Sequence, residues 1–268
     1  MSTDIFSNQK QPAIKILGAS GGKSKTTDLT SIQISKNSVI DAGNLICAMD
    51  GSLEDIEHIF LTHIHLDHIV DIPFLLDNIY ETQKKPIKIY SHIKNLQHLK
   101  KHIFNWEIWP DFSLIPMQNS KEFCVQYIPI EFDTPIKIDS FSITPIKNNH
   151  TSYSCGFIIK KGDNSLLFTS DSYCCDSIWE KVNKDLSIST MIIDVSFPSS
   201  FTELAKNSKH LTPELLQEDL KKLKRDDVII HINHLKPSYQ EQITTEIKQK
   251  NLLFNGGSIL NSGDIVYF

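Results

Sequence analysis

The run Thr62-His63-Ile64-His65-Leu66-Asp67-His68 gathers three imidazoles and a carboxylate within six residues. Polar groups packed this densely are costly to bury unless each finds a partner. A divalent metal ion satisfies imidazole nitrogen and carboxylate oxygen together, at bond lengths of about 2.0–2.2 Å. Histidines at i and i+2 on an extended turn point the same way, so His63 and His65 can share one ion. Asp67 and His68 follow immediately and are placed for a second. The apolar stretch Ile59-Phe60-Leu61 leads straight into the motif, which puts these ligands just beyond the end of a strand.

A pair of ions needs ligands from elsewhere in the chain. His150 lies in the polar segment Asn148-Asn149-His150-Thr151, Asp171 follows the apolar run Leu166-Leu167-Phe168, and His234 lies in His231-Ile232-Asn233-His234-Leu235-Lys236-Pro237. Taken singly, each reads as an ordinary satisfied polar residue. Beside the first motif, each reads as a ligand, with His231 competing with His234 for the last place. The other histidines, His58, His92, His98 and His102, fall among lysines and helix-like patterns. His98 and His102 can share a helix face, but no glutamate lies between them as in the HExxH metalloproteases.

Strand-like segments recur at residues 13–18, 30–35, 38–42, 86–90, 141–146, 155–160, 165–169, 191–193 and 228–230. Several deliver a histidine or an aspartate at their carboxyl ends. Residues 69–80 carry Ile72, Leu75, Leu76 and Ile79 at helical spacing, and 95–104 read as a mixed helix. Thr212-Pro213 is a helix start, with a hydroxyl N-cap and proline at the first helical position. Leu216, Leu220 and Leu223 follow on one face. With no internal repeat or low-complexity linker, residues 1–268 read as a single α/β domain.

Composition narrows the partners. The net charge of −5, from 27 basic and 32 acidic side chains, does not suit binding to long nucleic acid, which wants a basic surface. No apolar run approaches the roughly 18 residues of a membrane span, and Met1-Ser2-Thr3-Asp4-Ile5 lacks the basic and apolar regions of an export signal. A cytoplasmic location is the expectation. Cys47, Cys124, Cys155, Cys174 and Cys175 show no CxxC spacing and read as buried, reduced thiols.

The order HxHxDH, lone histidine, aspartate, final histidine resembles the metallo-β-lactamase superfamily. Within it the chain is similar to the class II 3′,5′-cyclic-nucleotide phosphodiesterases. That resemblance rests on Leu17-Gly18-Ala19-Ser20-Gly21-Gly22, Ile40-Asp41-Ala42-Gly43, the leucine inside His63–His68, and Phe104-Asn105-Trp106-Glu107-Ile108-Trp109-Pro110-Asp111-Phe112. Ser208-Lys209-His210-Leu211-Thr212-Pro213 and His234-Leu235-Lys236-Pro237 complete it. It implies an αββα sandwich of two mixed sheets with helices on both outer faces. One metal would be held by His63, His65 and His150, a second by Asp67, His68 and His234, with Asp171 bridging. Two Zn²⁺ ions are expected, although Mn²⁺ and Fe²⁺ also accept nitrogen and oxygen ligands.

The activity implied is hydrolysis of cyclic AMP, cyclic GMP or both to nucleoside 5′-monophosphates, by a hydroxide held between the two ions. Asp67 would ligate and accept a proton, while His210, oriented by Asp194, would protonate the leaving oxygen. Lys236 is a candidate phosphate contact. Trp106 and Trp109, with Phe112, are candidates for an aromatic wall along the base, with a core role as the alternative. The expected partner is a small cyclic nucleotide, with neither long nucleic acid nor a membrane, and a homodimer left open. A ribonuclease Z-like enzyme would need a basic arm that is not apparent, and the aromatic run lends nothing to a thioesterase or lactonase. A non-catalytic nucleotide-binding protein fits least, because no expected ligand is missing. Asp71 stands where the superfamily usually has glycine, with Pro73 after it, so the start of the following helix is expected to differ. The Gly18–Gly22 segment lacks P-loop spacing and reads as a tight turn near the metal edge.

Overall fold

In the computed structural model, which describes Phe6, residues 11–118 and residues 120–268, alternating apolar segments build two mixed sheets, each in its own compact unit. The opening Met1–Ile5 stretch, read above for an export signal, lies outside the described residues.

The first unit takes the described residues up to Gly18, with Asp28–Glu131 and Ser262–Tyr267. Its strands are β1 (Ala13–Gly18), β2 (Ser31–Ser35), β3 (Ser38–Ile40), β4 (His58–Phe60), β5 (Ile87–Ser91) and β6 (Val125–Pro129), with a late strand (Ile265–Tyr267) added beside β1. β1 pairs antiparallel with the late strand and with β2, and β2 with β3; β3, β4, β5 and β6 run parallel. Parallel strands send their carboxyl ends to one edge of a sheet, the usual place for a site in α/β proteins. Asp41 leaves directly after β3, and Leu61-Thr62-His63 directly after β4.

Among the described residues the α-helices of this unit are α1 (Leu45–Ala48), α2 (Leu66–Ile69), α3 (Asp71–Ile79) and α4 (Ile93–His102). Ile72, Leu75, Leu76 and Ile79 of α3 are all buried, as their spacing requires, with Leu96 and Leu99 of α4 and with Val39, Ile59, Ile87 and Ile89 of the sheet. Each such side chain contributes about 1.5–3 kcal/mol by leaving water. The helix expected over 69–80 is divided from α2, because Pro73 has no N–H with which to reach back to Ile69. His98 and His102 share an exposed face of α4, their rings 5.8 Å apart. His58 departs from expectation. It lies buried in β4, with Nδ1 3.0 Å from the Tyr90 hydroxyl.

The second unit takes Ala19–Thr27, Phe132–Asn261 and Phe268. Its strands are β7 (Ile136–Ile138), β8 (Phe141–Lys147), β9 (Cys155–Lys161), β10 (Asn164–Phe168), β11 (Ile188–Asp194) and β12 (Ile229–Asn233), which makes the late strand of the first unit β13. The sheet order is β12-β11-β10-β9-β8-β7; the three strands β10, β11 and β12 are parallel and the others antiparallel. Asp171, Asp194 and His234 sit at the carboxyl ends of those three. The helices are α5 (Asp176–Lys184), α6 (Thr202–Ser208), α7 (Pro213–Asp219) and α8 (Gln240–Gln249). Ile178, Trp179, Val182, Leu216, Ile243 and Ile247 pack with Met191, Ile193, Ile230 and Ile232. Thr212 caps α7 as expected, accepting from the Leu215 N–H at 3.2 Å. The helix itself is short, since α7 ends at Asp219 and Leu220 falls in a tighter 3₁₀ turn, but Leu216, Leu220 and Leu223 pack into one apolar cluster as expected.

All five cysteines are free. Cys124 and Cys155 are buried, Cys174 and Cys175 half-buried, and Cys47 is exposed, contrary to the expectation of burial. No helix among the described residues is long and apolar enough to cross a membrane.

Candidate metal centre

In the first unit the site is built on Asp41. Its backbone takes the left-handed conformation (φ 55°), which turns the fully buried carboxylate inward. That carboxylate accepts from the Thr62 N–H (2.9 Å), the Thr62 hydroxyl (2.8 Å) and His68 Nδ1 (2.7 Å). Burial pushes the Asp41 carboxyl above the usual range, against the pull of His68 and Thr62. The Ala42 N–H donates to the His68 carbonyl (2.7 Å), and the Ala42 carbonyl accepts from the Asp71 N–H (2.9 Å). Gly43 makes this grip possible, since a Cβ there would lie 2.2 Å from the Asp67 carbonyl oxygen. Asp71, the departure noted in the sequence, uses Oδ2 to accept from the Ile46 N–H at 2.9 Å and so secures the start of α1.

The ligand atoms of this unit are then close together. His63 Nε2 lies 3.0 Å from His65 Nδ1, and Asp67 Oδ2 lies 3.9 Å from His68 Nε2. Two ligands on a tetrahedral ion with bonds near 2.0–2.1 Å lie about 3.3 Å apart, so both spans suit a shared ion.

In the second unit Asp171 follows Ser170, another left-handed residue (φ 55°). Its two oxygens face different imidazoles: Oδ1 lies 3.1 Å from His234 Nε2, and Oδ2 lies 3.9 Å from His150 Nε2. His150 is oriented by Nδ1 on the Lys209 carbonyl (3.1 Å), which the left-handed Lys209 (φ 57°) presents at the end of α6. His234 is itself left-handed (φ 64°), a conformation costing of order 1–3 kcal/mol that neighbouring bonds must hold. Its N–H donates to the Ala19 carbonyl (2.6 Å), and its carbonyl accepts from the Ser196 hydroxyl (3.1 Å). Gly21 packs on its ring; a Cβ there would come within 2.6 Å of Nδ1. The glycine segment is thus a turn against a candidate ligand, as expected.

Asp194 anchors the remaining groups. It accepts from His210 Nδ1 on Oδ2 (2.7 Å) and from the Ser196 hydroxyl on Oδ1 (2.6 Å). Burial pushes its carboxyl up, yet the adjoining imidazoles of His210 and His234 prevail and hold it down to about 2. His210 is buried, its ring 4.9 Å from that of His150 and stacked 5.4 Å from that of His234.

The donor set fits divalent metal. Besides the ligand spacings, four of the imidazoles have their other nitrogen fixed: His63 on Thr62, His68 on Asp41, His150 on Lys209 and His234 on Ser196. Outer partners of this kind set the tautomer and ring orientation of metal-binding histidines. His231 is not with this group; its Nδ1 meets Ser258, as hydroxyl (3.0 Å) and as backbone N–H (3.2 Å).

Of the candidate substrate contacts, Lys236 has its ammonium on the Gly21 carbonyl at 2.5 Å, where it steadies the glycine turn. The aromatic run divides. Phe104 and Phe112 are core, Trp109 is half-buried with its ring 5.3 Å from that of Phe74, and Trp106 is 60% exposed. Asp41, Thr62 and Ser196 were not among the candidate site residues. Thr62 and Ser196 carry a local signal, a hydroxyl just past a strand's carboxyl end within two residues of a candidate ligand or of its supporting carboxylate; Asp41 is marked only by its place directly after β3, 22 positions before His63 (63 − 41).

A family model described as a beta-lactamase superfamily domain matches residues 40–232. A protein of Yersinia pestis named a probable 3′,5′-cyclic-nucleotide phosphodiesterase is 23% identical, over 98% of this chain and 92% of its own. Unliganded yeast PDE1 superposes with a TM-score of 0.74 at 17% identity, covering 96% of this chain and 99% of that one. A metallo-β-lactamase fold protein of Bacillus subtilis, YhfI, gives 0.72 at 17% identity, covering 96% and 100%.

Proposed function

We propose that this chain, which belongs to the beta-lactamase superfamily and has the metallo-β-lactamase fold, is a hydrolase that converts 3′,5′-cyclic nucleotides to nucleoside 5′-monophosphates. The observation that carries the metal-dependent part is Asp171, one carboxylate turned to two imidazoles through different oxygens. The substrate class rests on the near full-length similarity to a probable cyclic-nucleotide phosphodiesterase and on the motifs shared with that family.

Under this reading His63, His65 and His150 hold one divalent ion, Asp67, His68 and His234 hold a second, and Asp171 serves both. Bound ions of this kind supply positive charge for the phosphate oxygens and an activated water nucleophile at neutral pH. The chain's own residues supply orientation and protons. Asp41 and Asp194 fix the imidazoles from behind. His210 gives its Nδ1–H to Asp194 and keeps Nε2 to carry a proton to the departing 3′ oxygen. Asp67 would accept one. Trp106, the exposed member of the aromatic run, contacts the base.

The test is product analysis with purified protein loaded with two equivalents of Zn²⁺ or Mn²⁺. Cyclic AMP or cyclic GMP should yield the 5′-monophosphate, and chelation should stop the reaction while circular dichroism stays unchanged. A 3′-monophosphate product, or turnover indifferent to chelation, contradicts the proposal.

A further inference from the structure

The two units share an arrangement that the sequence does not advertise. In each, one buried carboxylate fixes two imidazoles, one directly and one through a hydroxyl. In the first unit Asp41 Oδ2 meets His68 Nδ1 at 2.7 Å, and the Thr62 hydroxyl, 2.8 Å from the same oxygen, lies 3.0 Å from His63 Nδ1. In the second, Asp194 Oδ2 meets His210 Nδ1 at 2.7 Å, and the Ser196 hydroxyl, 2.6 Å from Oδ1, lies 2.9 Å from His234 Nδ1. Thr62, Ser196, Asp41 and Asp194 are all fully buried.

Donor and acceptor counting fixes the direction of each chain. A hydroxyl has one hydrogen, and each carboxylate already serves as an acceptor, Asp41 for the Thr62 N–H and Asp194 for the Ser172 N–H. The hydroxyl hydrogen therefore goes to the carboxylate, the shorter and charge-assisted bond. The hydroxyl oxygen is left as acceptor, so the imidazole nitrogen facing it must carry the proton. For Ser196 the alternative acceptors are poorer: the His234 carbonyl is 3.1 Å away, and His210 Nδ1, at 3.2 Å, already donates to Asp194. Both His63 and His234 are thereby held as the Nδ1–H tautomer, with the Nε2 lone pair directed away from the hydroxyl.

We propose that Thr62 and Ser196 are paired positioning residues, each setting the tautomer of one metal-binding histidine, so that each hydroxyl governs one ion of the pair. This rests on the metal-dependent reading above, but the tautomers themselves do not. Neither residue need touch substrate. Loss of an outer partner of this kind lowers metal affinity by about 10–100-fold, and here the loss should be confined to one ion per substitution.

The experiment uses the full chain in metal-free form and then in metal titration. Long-range ¹H–¹⁵N NMR of the metal-free protein should show His63 and His234 as Nδ1–H tautomers. Thr62→Val should release His63 alone and Ser196→Ala should release His234 alone, while Ser196→Thr, which keeps the hydroxyl, should restore the wild-type signals. In Zn²⁺ titration against a chelator each single substitution should weaken one of two equivalents about 10–100-fold, and the double substitution should weaken both. Unchanged tautomers in the variants, or equal loss of both equivalents in a single variant, overturns the proposal. Correct tautomers in a chain that hydrolyses no cyclic nucleotide would count against the assigned activity and leave the positioning roles standing.

Discussion

Asp171 Oδ1 lies 3.1 Å from His234 Nε2, in the same unit and on strand ends that sequence alone leaves 63 positions apart (234 − 171). Its other oxygen faces His150. A carboxylate so placed between two imidazoles has little reason to be buried unless positive charge completes the group. Asp171→Ala should therefore remove metal from both positions, measured as bound metal per chain after gel filtration. Full metal content in that variant would contradict the shared role.

His210 occupies a different niche from the ligands. Its Nδ1 is committed to Asp194, and its ring stacks with that of His234. His210→Ala should leave metal content unchanged and lower turnover by about 10²–10⁴-fold, the range of general acid catalysis. A nucleotide analogue with a better leaving group should recover much of the loss. Loss of metal would instead place His210 among the ligands.

Asp41 supports the first unit from behind. Its carboxylate takes one backbone N–H, one hydroxyl and one imidazole. Asp41→Ala leaves those groups buried without that acceptor, at about 1–3 kcal/mol for each unsatisfied group. Thermal unfolding of the metal-free protein should shift downward and metal affinity should fall. An unchanged melting temperature would show that the carboxylate is dispensable to the loop.

Gly21 has a narrower role. A Cβ at that position meets the His234 ring at 2.6 Å and its carbonyl at 2.7 Å. Gly21→Ala must displace either the turn or the imidazole, so binding of one metal equivalent should weaken. Two equivalents bound with wild-type affinity would mean that the turn yields freely.

Much of this was legible before any coordinates. The apolar spacing of Ile72, Leu75, Leu76 and Ile79 declares a buried helix face, and the Thr212-Pro213 pair declares a helix start; both are present. The candidate ligands were legible because histidine and aspartate at strand ends are costly without a partner. The supporting residues were not. A threonine before a histidine, or a serine two positions after an aspartate, is unremarkable until the strands are paired; β11 against β12 is what sets Ser196 beside His234. The helix expected over 69–80 begins at Asp71, where the Asp71–Pro73 departure marks an altered start, and the Asp71 N–H turns to the Ala42 carbonyl instead of back along a helix. The aromatic run misled. Four bulky side chains look alike in sequence, yet Phe104 and Phe112 are buried while Trp106 is exposed.

The most direct measurement is the reaction itself, run across a panel with the metal-loaded protein: cyclic AMP, cyclic GMP, a 2′,3′-cyclic nucleotide, a tRNA precursor and a thioester. The account predicts metal-dependent cleavage of the 3′,5′-cyclic nucleotides with the 5′-monophosphate as sole product. Efficient hydrolysis of the thioester or the tRNA precursor, with the 3′,5′-cyclic nucleotides untouched, would contradict it.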